Sequence, residues 1–128
     1  MRESQESVPM DDQLENKFAE SWDHMEWFFG SGEIWRKRPD IVEFIAMARS
    51  LGYDRKLRAG QSLDAFVVSR SRVHGLRTEQ PMIAFHIAKD RILARSRELQ
   101  AEDFDENEVK VSDRVRALLD RLSKEPIT

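Results

Sequence analysis

Apolar side chains recur along the first third of the chain with the period of a helix. Leu14, Phe18, Trp22, Met25 and Phe29 fall on one stripe, the spacing that buries one face of a helix. Asp12 with Glu15 three residues on reads as a capping box that starts this helix. Gly30-Ser31-Gly32 supplies the unrestricted backbone that ends it. A second helix follows from Pro39. Its proline suits the first turn and Asp40 suits the positive end of its dipole. Ile41, Phe44, Ile45, Ala48 and Leu51 form the apolar face, and Gly52 is the stop.

The middle of the chain is read as a polar, basic connector, Tyr53–Gln61, and a third helix over 62–74. Ser62 would cap that helix, with Leu63, Phe66, Val67 and Val73 facing inward and Gly75 after its end. Beyond Pro81 the period changes to two. Ile83, Phe85 and Ile87 alternate with Met82, Ala84 and His86, the pattern of a strand with one buried face. Lys89-Asp90 makes a turn in this reading, and Arg91–Arg97 returns as a second strand. The rival is a continuous helix through the same residues, favoured by the helix formers in DRILARSREL. Residues 101–108 read as an acidic loop and Val109-Lys110-Val111 as a short edge strand. Ser112 caps a last helix with Val115, Leu118, Leu119 and Leu122 on its apolar stripe.

The elements amount to an α+β domain of about four helices, with a small antiparallel hairpin or meander after the third. The alternative is an all-α domain of five helices. Residues 12–124 form the single globular domain expected of a 128-residue chain. Residues 1–11 and 125–128 are read as tails, the first because it is polar and aperiodic.

Composition narrows the class. The chain has no cysteine, which removes disulfides, thiol redox chemistry and thiolate-bound zinc and agrees with a reducing compartment. Neither an apolar leader core nor a run long enough to span a membrane is visible. The expected setting is cytoplasmic, without membrane contact.

The net charge of −3 is unevenly spread. Residues 1–35 carry two basic and nine acidic side chains, residues 36–97 fourteen and six, and residues 98–128 five and nine. An acidic–basic–acidic order means either a basic binding face or flanks that fold back and neutralise the middle. The second reading is favoured, because most charge clusters are paired or solvated surface.

No catalytic constellation passes a spacing test. His24, His74 and His86 lie in separate elements without a partner at ligand spacing, and there is no HExxH. Ser62, Ser69 and Ser71 lack a nucleophile elbow or SxxK context. The acidic loop lacks the central glycine of a calcium loop, and the glycines match no phosphate-binding loop. No cofactor and no metal is expected.

What remains is the basic set Arg55, Lys56, Arg58, Arg70, Arg72, His74 and Arg77, and two aromatics placed to make contacts, Trp27 and Trp35. The favoured expectation is a non-enzymatic interaction or regulatory domain that binds a protein partner or itself. The alternative is a nucleic-acid-binding, winged-helix-like module, with Arg70 and Arg72 on helix three and Arg91 and Arg95 on the wing. Its net acidity and the nine-residue connector count against it. A small enzyme or ligand binder with a dispersed pocket is the second alternative.

Overall fold

A computed structural model of the chain gives the fold. The residues described are 11–34, 36–62, 65–73, 81–88, 91–97, 104–106 and 109–127, with side chains for all of these except 87–88, 91–97 and 104–106. Helices α1 (Asp12–Ser31) and α2 (Pro39–Ser50) are followed by a 3-10 turn (Tyr53–Arg55). Strands β1 (Arg58–Ser62), β2 (Ala65–Ser69), β3 (Met82–Ala88), β4 (Arg91–Arg97) and β5 (Phe104–Glu106) then precede helix α3 (Asp113–Ser123). The strands form one antiparallel sheet in the order β1-β2-β3-β4-β5. Among the described residues there are therefore three α-helices, and the class is α+β, not all-α.

The three helices have the cores expected of them. All five members of the α1 stripe are buried, and Phe28 joins them. The cap of α1 is Asp11 rather than Asp12: its carboxylate accepts the Leu14 backbone N–H at 2.8 Å. Gly32 and Gly52 have φ of 76° and 84°, the left-handed backbone that closes α1 and α2 at little steric cost. Ser112 caps α3 as expected, accepting from the Val115 N–H at 3.2 Å.

The third helix is a correction. Residues 65–69 are a strand, and the end of the connector together with Ser62, read as the helix cap, is a strand paired to it, Arg58 with Ser69 through Ser62 with Ala65. The physical reason lies in burial. Every residue of β2 is buried, because Phe66 and Val68 face the helices while Ala65 and Val67 join Met82 and Ala84 in a second cluster. A strand covered on both faces does not alternate. The hairpin over 82–97 is present as β3 and β4, with Ile83 opposite Ser96 and Phe85 opposite Ala94. A further correction concerns the last strand: it is Phe104–Glu106, within the segment read as an acidic loop, and residues 109–111 carry no strand.

The main core lies between one sheet face and the three helices. Phe66 sits at its centre, with the rings of Trp22, Phe29, Phe44 and Phe85 around it at centroid distances of 6.3, 5.8, 5.4 and 6.0 Å. Most meet edge to face, the favoured arrangement for aromatic quadrupoles. Trp22 also donates its indole N–H to the Leu57 carbonyl at 2.8 Å, fixing α1 against the entrance to β1. Ile127, in the segment read as a tail, is buried against Leu14 and Phe18. Among the described residues no helix is long and apolar enough to cross a membrane.

Candidate functional site: a groove between helix α1 and edge strand β1

Strand β1 is one edge of the sheet, and edges carry unpaired backbone groups that need managing. Here α1 lies alongside. Ser21 Oγ accepts the Ala59 N–H at 2.9 Å and donates to the Phe18 carbonyl. The hydroxyl thus blocks part of the edge against strand addition, and both of its roles are used by backbone.

Beside this contact the helix and strand part into a groove of about 460 Å³. Lys17, Glu20 and His24 line its α1 wall, at the spacing of one helical face. Gly60 lies on the strand side, and a side chain built there would meet nothing within 4 Å. Arg72 and Val73 form the far wall. That wall is held by Arg58, which donates from Nε to the Ser71 carbonyl at 2.8 Å and from Nη2 to the Arg72 carbonyl at 2.9 Å. The Arg58 guanidinium also lies 5.2 Å from the centroid of the Phe18 ring, a cation–π placement. Burial lowers its pKa from the ordinary value, yet a guanidinium stays charged in a protein.

At the rim, Trp27 stacks on His24 with ring centroids 5.8 Å apart. Trp27 is 42% exposed and Val73 58%, so two large apolar surfaces border a groove whose described lining holds three cations and one carboxylate.

The basic set inferred from the sequence therefore divides. Arg58 and Arg72 come together at the groove. Arg70 points elsewhere and donates to the Lys56 carbonyl at 3.2 Å and to the Ser123 and Glu125 carbonyls at 2.8 and 2.6 Å. Burial lowers its pKa too. Arg55 and Lys56 are exposed, Arg55 reaching Asn16 at 3.4 Å and Glu15 at 4.0 Å on α1. His74, Arg77 and Trp35 lie outside the described residues. Without a helix over 65–69, Arg70 and Arg72 have no recognition helix to stand on.

The expected neutralisation by the flanks is partial, since carbonyls that receive a cation's hydrogen bonds cancel none of its charge. Asp23 and Glu15 of α1 pair with Arg49 and Arg55, while Arg70 is met by main-chain oxygens. Lys17, Ser21 and Gly60 were not singled out by sequence, and His24 was weighed only as a catalytic base or metal ligand and set aside. The available signal was Trp27, an aromatic off the apolar stripe and one helical step from His24 on a polar face.

A second concavity, about 300 Å³, lies where Val109–Val111 passes α2. Its half-buried acid is already engaged. Asp40 accepts from Arg38 Nε and Nη2 at 3.0 and 2.7 Å and from the Val109 N–H at 2.9 Å. Among the described residues no group of three or more His, Asp or Glu side chains could hold a metal ion. Comparison with known proteins found no matching family model, no matching curated protein and no matching solved structure.

Proposed function

We propose that this chain is a non-enzymatic protein-interaction domain whose docking surface is the groove between α1 and β1. The observation that carries the reading is the pairing of exposed Trp27 and Val73 with the groove cations Lys17, Arg58 and Arg72. Aromatic and arginine side chains dominate binding energy at interfaces, and charges around them set specificity and encounter rate. Acid–base or nucleophilic chemistry has poor footing there. The Ser21 hydroxyl is committed to backbone on both sides, and His24 is stacked on Trp27 rather than set against a serine.

The test is photo-crosslinking of the full chain in extract of its own source cells. A crosslinking residue at position 73 should capture discrete partners, and the same residue at exposed Met47 should not. Gly60→Val, which fills the groove from a position with open space and suits a strand, should abolish the adducts at 73 while leaving the fold intact. Adducts that persist in Gly60→Val, or that form equally at 47, would refute docking in the groove.

A further inference from the structure

Resting on that docking reading, we infer that the occupant is an acidic, apolar-studded protein segment read by its side chains, and not a strand added to the sheet. Three observations carry this. First, the groove is under-neutralised. Neither Lys17 nor Arg72 has an ion pair among the described residues, and the Arg58 bonds go to carbonyls that cancel no charge. Among the described residues, one groove carboxylate, Glu20, stands against these three cations. Arg72 is exposed and its guanidinium makes no hydrogen bond or ion pair among the described residues, which suits bidentate capture of a carboxylate.

Second, the positive charge is local. Among the described residues the groove lining holds the carboxylate of Glu20 beside its three cations, while Asp23 of α1 is paired with Arg49. A phosphate backbone with a charge at every step would meet this acid along with the cations, whereas nucleic-acid sites present a continuous basic stripe. A segment with one or two spaced carboxylates fits the pattern, and its apolar residue covers Trp27 and Val73. Third, strand addition is obstructed where α1 crosses the edge, because the Ala59 N–H is already bonded to Ser21 Oγ. Specificity then rests on side chains, with Arg72 and Lys17 on carboxylates and the Trp27 face on the apolar group.

The experiment is amide chemical-shift titration of the full chain with a short synthetic peptide in which two leucines stand among glutamates and serines. Shifts should concentrate at Lys17, His24, Gly60 and Arg72 and at the Trp27 indole N–H. Arg72→Glu should weaken the peptide by at least roughly tenfold, the scale of a lost charge-assisted pair. Replacing the peptide glutamates by glutamine should do the same. Equal binding of the glutamine peptide, no shifts at these residues, or tighter binding of a single-stranded oligothymidylate would each overturn the inference. Crosslinks at position 73 that depend on Gly60, together with a peptide that does not bind, would leave the docking surface standing and reject the acidic partner. Loss of both would reject the docking surface itself.

Discussion

Arg70 holds Ser123. From the segment leaving β2, its Nη1 donates to the Ser123 carbonyl at the end of α3 and, beyond it, to that of Glu125. The last carbonyls of a helix have no intrahelical partner and carry the negative end of its dipole. One half-buried cation satisfies the carbonyl of Ser123 and, past the helix end, that of Glu125. Replacing Arg70 by methionine keeps the stem and removes the donors, and should cost about 1.5–3 kcal/mol, the range for bonds to a charged group. Arg72→Ala, at an exposed position, should stay within about 0.5 kcal/mol of the parent. Urea midpoints compared at constant slope decide the matter; equal losses at the two positions would contradict the assignment.

Ser21→Ala removes the acceptor that covers the Ala59 N–H. An edge amide left without a partner beside a packed helix should cost about 1–2 kcal/mol. Hydrogen exchange provides the local readout: the Ala59 amide should lose protection ahead of the amides of β2. Unchanged exchange at Ala59 would mean that α1 does not manage this edge.

Phe66 touches four aromatic rings from two helices and one neighbouring strand. Phe66→Ala should destabilise by about 3–5 kcal/mol, the cost of a large cavity in a core that cannot collapse around it. Phe66→Leu should recover more than half of that loss. Thermal or denaturant unfolding measures both.

Two groups link stability to pH. Burial raises the Asp40 pKa, but the Arg38 hydrogen bond, the Val109 N–H and the nearby Arg38 charge outweigh it and leave the carboxyl below its ordinary 3.8. Its folded value lies under the unfolded one, so its contribution is present above about pH 3.8 and is lost as pH falls through the folded value. Asp40→Asn should flatten the acid limb of the stability profile. Tyr53 is the opposite case. Burial and then the hydrogen bond it donates to Asp120 raise its pKa above 10.0. Its contribution is complete below pH 10.0 and disappears as pH rises through the folded value. Tyr53→Phe should remove that alkaline decline, visible in midpoints measured on either side of it.

The helices were legible because each buries one face only. The stripes of α1, α2 and α3 could be read from spacing, and the glycines that end the first two have the positive φ their positions required. Strand β2 was not legible, since both its faces are covered and AFVVS shows no alternation. Strand β1, RAGQS, has almost no apolar pattern; it is a strand because β2 is its partner. The groove was hidden for a related reason. Its walls meet through Ser21 and Ala59, distant in sequence, and helix periodicity says nothing about which strand a polar face will overlook. Arg58 and Arg72 were visible as charge, while their joint position depends on the Arg58 bonds to the Ser71 and Arg72 carbonyls.

The strand order β1-β2-β3-β4-β5 has a kinetic consequence. Every strand pairs with its neighbour in the chain, so the sheet can zip from hairpins with little loop entropy to overcome. The distant contacts are made by the helices: Ser21 to Ala59 and Arg70 to Ser123. These should form after the sheet. The expected signature is a division of labour in refolding, with changes at Phe66 slowing folding and changes at Arg70 speeding unfolding while leaving the folding rate nearly untouched.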